Sequence, residues 1–159
     1  MSEYRYCREY IHNKKSKLHI LIVDDDANSS ELFKSIIEMR GHRVDILNEG
    51  IRCINLIQHN TYDVIFMDYH IADIDGVQLT ECIRDILKVK SLIFAYTGDD
   101  SDDAVNLFKL NGMNGAIIKP LNLNMINQLM SSIENGNSDK SNIVHKLTKL
   151  NSKSVLTWD

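Results

Sequence analysis

The sequence predicts a doubly wound α/β domain, and three features of the chain point to it. Short apolar runs rich in Ile and Val recur without strict alternation, the pattern of strands buried on both faces of a parallel sheet. Between them lie segments whose apolar residues repeat at helical spacing, as in helices that cover such a sheet. Four of the runs stop abruptly at polar residues, and open α/β sheets build their functional crevice at the carboxyl ends of strands.

In order, LHILIV (18–23) is the first run and ends in Asp24-Asp25-Asp26. A helix over 28–40 follows, with Leu32, Phe33, Ile36 and Ile37 on one face and Gly41 closing it. RVDIL (43–47) is shorter and alternates, as an edge strand does. After Gly50, Ile51, Ile54, Leu56 and Ile57 mark the second helix. YDVIFM (62–67) ends in Asp68, and Val77, Leu79, Ile83, Ile86 and Leu87 mark the third helix. SLIFAY (91–96) ends in Thr97-Gly98, before a helix with Val105, Leu107, Phe108 and Leu110 that Gly112 stops. GAII (115–118) ends in Lys119-Pro120, and Met125, Ile126, Leu129, Met130 and Ile133 form the last helical face. Five strand–helix pairs over residues 18–135 make a (βα)5 sandwich, with right-handed crossovers and a strand-order reversal beside the first strand.

The flanks carry less pattern. Residues 1–17 hold five Lys or Arg against two Glu, interleaved with Tyr4, Tyr6 and Tyr10, and read as a solvated extension. Residues 136–159 read as a polar, asparagine-rich tail with room for one short helix over Ile143–Leu150. The 159-residue chain is 43% hydrophobic and 25% charged, which excludes wholesale disorder. No window approaches the 18 or so consecutive apolar residues of a membrane span. A net charge of −4 argues against direct nucleic-acid binding. Cys7, Cys53 and Cys82 show neither a disulfide framework nor zinc spacing, and MSEYRYCREY is too charged for a signal peptide. The cytoplasm is favoured, with the nucleus left open. His12, His19, His42, His59 and His145 read as surface residues.

The polar residues at the strand ends carry the chemistry. The fold brings Asp24–Asp26, Asp68, Thr97 and Lys119 together from positions spread over almost a hundred residues. Several carboxylates in one crevice repel one another and call for a hard cation. Oxygen-only ligation favours Mg²⁺, or Mn²⁺, over zinc. With a lysine ammonium and a threonine hydroxyl alongside, these are the parts needed to accept a phosphoryl group on a carboxylate. No Walker A sequence is present, so a nucleotide is not implied.

LIVDDD (21–26), IFMDYHIADIDG (65–76), YTG (96–98) and IIKP (117–120) stand in the order of one known family. The chain resembles the receiver domain of the response regulators of two-component and phosphorelay signalling, over residues 18–135. The resemblance implies a flavodoxin-like, five-stranded parallel sheet in the order 2-1-3-4-5. It implies Asp68 as phosphoacceptor, with Thr97 and Lys119 holding the phosphoryl group. Asp24, Asp25, Asp68 and the backbone carbonyl of His70 would be the metal ligands, Asp25 more directly than Asp24. Lys119-Pro120 matches the family's common cis peptide. Asp26 reads as a helix cap rather than a ligand. The implied partners are a histidine kinase or a histidine phosphotransfer protein; a homodimer is compatible but not predicted. Any enzymatic activity would be limited to self-catalysed phosphotransfer and slow autodephosphorylation.

Two positions depart from the family pattern. Ala116 stands where an aromatic usually lies three residues before the lysine, and Ala72 stands where proline usually follows the acceptor. Tyr96, adjacent to Thr97, is expected on the opposite face of the sheet and no substitute for that aromatic. His70 and Asp99 occupy positions that in the family tune loss of the phosphoryl group. Ala116 supports the alternative of a pseudo-receiver that binds partners without phosphorylation. A Mg²⁺-dependent phosphohydrolase is disfavoured, because His70 occupies the place of its second aspartate. The 22 or so residues after the domain leave no room for an output region. The expectation is therefore action through protein partners, or a fragment of a larger protein such as a hybrid histidine kinase.

Overall fold

The computed structural model describes residues 17–120, 122–135 and 155–158. The expected elements form in the expected order. They are β1 (His19–Val23), α1 (Ala27–Met39), β2 (Arg43–Leu47), α2 (Ile51–His59), β3 (Val64–Met67) and α3 (Gly76–Asp85). Then come β4 (Leu92–Thr97), α4 (Asp102–Leu110), β5 (Gly115–Ile118) and α5 (Leu123–Glu134). A further strand, β6 (Val155–Thr157), lies in the segment read as a polar tail. The sheet order is β2-β1-β3-β4-β5-β6, the first five strands parallel and β6 antiparallel to β5.

The doubly buried runs are explained by two cores. Ile20, Ile22, Phe66, Phe94 and Tyr96 face α1 and α5, packing with Phe33, Ile37 and Leu129. Their alternating neighbours Leu21, Val23, Ile65, Met67, Ile93 and Ala95 face the other helices, with Leu79, Ile83 and Phe108. Each strand therefore reads apolar at every position.

Helical faces are narrower than the periodicity suggests. Leu32, Ile51, Ile86 and Leu110 are exposed, whereas Ser30, Cys53 and Ala104 are buried. Small residues share the buried stripes with bulky ones such as Phe33, Ile57 and Phe108, while other apolar residues lie outside them. Asp26, Asp75, Ser101 and Asn122 cap α1, α3, α4 and α5 through their side chains. The first turn of α2 is capped from outside: Asp73 accepts from Gly50 N at 2.9 Å and Ile51 N at 2.8 Å.

The sixth strand corrects the tail reading. VLTW is β-forming and carries three apolar residues within polar surroundings, and it covers an edge that β5 would leave unpaired. Leu156 stands opposite Ala116, and Val155 opposite Ile117. Trp158 Nε1 donates to Met113 O at 2.8 Å. A Cβ on Gly115 would lie 2.6 Å from Leu156 O, so only glycine allows this approach. Gly115→Val is accordingly expected to release β6 and destabilise the fold by about 1–3 kcal/mol. Red-shifted emission from Trp158, the only tryptophan, checks this; unchanged emission contradicts it. The short helix expected over Ile143–Leu150 and the extension over 1–16 lie outside the described residues, as do His12 and His145.

His42 also departs from expectation, being buried rather than exposed. Its Nδ1 accepts from Leu18 N at 3.1 Å, and its Nε2 lies 2.8 Å from Glu134 Oε1. With Nδ1 accepting, Nε2 carries the proton and donates. Arg40 grips the same carboxylate through Nε at 2.7 Å and Nη2 at 2.8 Å, and also reaches Asn127 and Ser131. This network ties the end of α1 and the start of β2 to the end of α5.

Candidate functional site

Parallel strands deliver their carboxyl ends to one edge, and the backbone fixes them there. Asp68 N donates to Val23 O at 2.9 Å, and Lys119 N to Thr97 O at 2.8 Å. These bonds carry the pairing of β1 with β3 and of β4 with β5 past the last strand residues. Asp24, Asp68, Thr97 and Lys119 are thereby brought to one crevice.

Asp24 is fully buried. Its Oδ1 accepts from Asp26 N at 2.9 Å, and its Oδ2 lies 2.8 Å from Lys119 Nζ. The same ammonium is 3.6 Å from Asp68 Oδ2, while Asp68 Oδ1 accepts from His70 N at 3.2 Å. Carboxylate oxygens of Asp24, Asp25 and Asp68 lie within 4.8 Å of one another. Among the described residues this group offers three anionic oxygens and no nitrogen or sulfur donor, a set that fits a hard divalent cation. Asp25 is the exposed member, open to solvent. Asp26 caps α1, accepting from Asn28 N and Ser29 N. Thr97 is buried, and its Oγ1 accepts from Asp99 N at 3.1 Å.

The electrostatics follow from this crowding. Burial pushes the Asp68 carboxyl up to about 6; Lys119 opposes the rise, and the Asp24 charge adds to it. For Lys119, burial alone would lower the pKa. The Asp24 hydrogen bond and the charges of Asp68 and Asp24 outweigh burial and hold it above its ordinary value. The ammonium is therefore a fixed positive charge between two buried carboxylates.

The loop after Asp68 is held at both ends. Gly76 N donates to Tyr69 O at 3.1 Å, and a Cβ on Gly76 would collide with the Asp68 carbonyl. Asp73 ties the loop's middle to α2 as described. Gly76→Ala is expected to displace the Asp68 backbone, reducing metal affinity at least tenfold; unchanged Mg²⁺ binding by calorimetry contradicts this.

Sequence reasoning set Tyr96 aside, and on the face it occupies that reading is correct: Tyr96 packs with Phe33, across the sheet from Ala116. Its ring nonetheless reaches the site, with Lys119 Nζ 4.4 Å from the ring centroid. Strand alternation places its Cβ but not the reach of its ring. Ala116 is fully buried beside Ala95, with Leu156 on its other side.

Comparison with known proteins agrees with this architecture. The family described as "Response regulator receiver domain" matches residues 20–131. The transcription factor SKN7 of Candida albicans is 31% identical over 104 residues, covering 65% of this chain and 18% of that protein. The sensor histidine kinase AruS of Pseudomonas aeruginosa is 29% identical over 121 residues, covering 74% and 12%. The chain thus spans less than a fifth of the length of these curated relatives. Among solved structures, a two-component response regulator from Clostridium difficile is 26% identical with a TM-score of 0.68, covering 86% of this chain and all of that one. A CheY-like receiver domain protein from Methanospirillum hungatei has a TM-score of 0.70 at 23% identity, covering 79% and 99%. With the sheet order, the acidic crevice and the family match in agreement, the chain belongs to the response regulator receiver domain family.

Proposed function

We propose that this receiver accepts a phosphoryl group on Asp68 from a phosphohistidine of a partner histidine kinase or histidine phosphotransfer protein. The observation that carries the reading is the Lys119 ammonium set between Asp24 and Asp68, at 2.8 and 3.6 Å. An Asp68 oxygen attacks phosphorus and forms the new O–P bond; the N–P bond breaks, and its electron pair stays on the imidazole. Lys119 neutralises charge on the transferring oxygens, and the Thr97 hydroxyl, whose oxygen already accepts from Asp99 N, has its proton left to donate to them. Asp24, Asp25, Asp68 and the His70 carbonyl would hold Mg²⁺, or Mn²⁺, which supplies further charge neutralisation when bound. The acyl phosphate is then hydrolysed slowly or passed on, and the signal leaves through protein partners rather than nucleic acid. Among the described residues no helix is long and apolar enough to cross a membrane.

Ala116 favours a second reading, a module that binds its partner regardless of phosphorylation. Label transfer separates the two. With phosphoramidate, whose P–N bond resembles that of phosphohistidine, and Mg²⁺, the chain should acquire hydroxylamine-sensitive phosphate on the peptide containing Asp68. Absence of such label, with no Mg²⁺ binding, favours the second reading.

The Asp68 shift also predicts a pH dependence. With its folded pKa near 6 against an ordinary 3.8, the metal-free fold binds more protons than the unfolded chain between those values. Stability from this group therefore falls as pH rises from about 4 to 6 and is flat above. Asp68→Asn should stabilise the metal-free chain at pH 7 by on the order of 2 kcal/mol. Mg²⁺ should raise the melting temperature of the wild type more than that of Asp68→Asn; equal responses contradict this.

A further inference from the structure

Among the described residues, the Lys119 ammonium lies against two acids and one aromatic ring. Asp24 and Asp68 take one side at 2.8 and 3.6 Å. The third is the Tyr96 ring, whose centroid lies 4.4 Å from Nζ. That ring is firmly held. Tyr96 is buried, its ring meets Phe33 of α1 at a centroid distance of 5.1 Å, and its hydroxyl lies 3.4 Å from Ser29 Oγ. Burial pushes the phenol pKa up, with the Ser29 bond and Lys119 opposing, so the ring presents a neutral π face.

We infer that Tyr96 is a positioning residue that holds the Lys119 ammonium over the acceptor by a cation–π contact. The inference rests on the phosphoryl-acceptor reading of Asp68. Its logic lies in what Asp24 must do. In the metal-free protein Asp24 is the nearest anchor of Lys119, yet Asp24 is also one of the three carboxylates grouped for a cation. A carboxylate that turns its charge to a divalent cation holds the ammonium less well. A π face attracts the ammonium without offering an anionic oxygen to the metal or a nucleophile to the phosphoryl group. It keeps Lys119 at the acceptor when Asp24 is engaged elsewhere. The hydroxyl of Tyr96 is not needed for this, whereas the ring is.

The test uses Tyr96→Phe, which keeps the ring, and Tyr96→Leu, which keeps an apolar filling. Two readouts are taken on the full chain. First, in protein carrying ¹³C-labelled lysine, the Lys119 ε-methylene resonance, assigned through Lys119→Arg, should lie upfield of other lysines because of the ring current. It should stay there in Tyr96→Phe and return to the common position in Tyr96→Leu. Second, phosphoryl loading from phosphoramidate with Mg²⁺ should fall about tenfold in Tyr96→Leu and stay within about twofold of wild type in Tyr96→Phe. Mg²⁺ affinity should be the same in all three, which a general loosening of the core would not give. A wild-type Lys119 resonance at the common lysine position overturns the inference, and needs only the wild type and its assignment. So does wild-type loading that Tyr96→Leu leaves unchanged. A wild-type chain that takes no phosphoryl group overturns the functional reading, and the inference with it.

Discussion

Lys119→Ala is expected to destabilise the metal-free protein by about 3 kcal/mol near pH 7. Asp24 is wholly buried and takes its 2.8 Å ion pair from Lys119; without the ammonium, Asp24 and Asp68 face each other across the crevice. Removing one partner of a buried pair leaves a charge that neither water nor protein compensates. The deficit should shrink as pH falls, because protonating one carboxylate relieves the repulsion. Mg²⁺ should restore much of the stability, since a divalent cation neutralises the same carboxylates, but it should not restore phosphoryl loading, which needs the ammonium itself. Urea unfolding with and without Mg²⁺ checks both parts. Equal stability of variant and wild type in chelator contradicts the account of the site as an electrostatically strained cluster held by Lys119.

Glu134→Ala should have a comparable effect for the same physical reason at the opposite end of the sheet. The Glu134 side chain is 1% exposed and receives two hydrogen bonds from Arg40 and one from His42. Its loss leaves a guanidinium and an imidazole without the acceptor around which they are arranged, at about 3–5 kcal/mol. The network joins α1 and β2 to α5, far from Asp68, so Mg²⁺ affinity of the folded fraction should be unchanged. A loss below about 1 kcal/mol would show the network to be incidental to folding.

Much of the fold was legible because doubly buried strands and amphipathic helices leave local signatures. Five runs gave five parallel strands, and β2 is the edge strand that its alternation suggested. The strand ends named the crevice because strand pairing sets where chains of unlike sequence separation meet. Three things were not legible. The three residues of β6, Val155, Leu156 and Thr157, are too short a run to stand out from a polar tail, and an antiparallel return is specified by the open edge of β5 rather than by local pattern. His42 looked like a surface residue because its partners Leu18 and Glu134 are brought to it by the fold, from 24 and 92 residues away in sequence. Tyr96 was placed on the correct face by alternation, but the length of its side chain, not its face, brings its ring to Lys119.

The most direct measurement is the intact mass of the chain after incubation with a small-molecule phosphodonor, taken for wild type with Mg²⁺, wild type in chelator, and Asp68→Asn with Mg²⁺. The account predicts a gain of one phosphoryl mass in the first sample alone. A gain that survives in Asp68→Asn or in chelator contradicts the assignment of Asp68 and its metal. No gain in any sample, joined to absent Mg²⁺ binding at Asp24, Asp25 and Asp68, contradicts the acceptor reading and leaves the phosphorylation-independent module in its place.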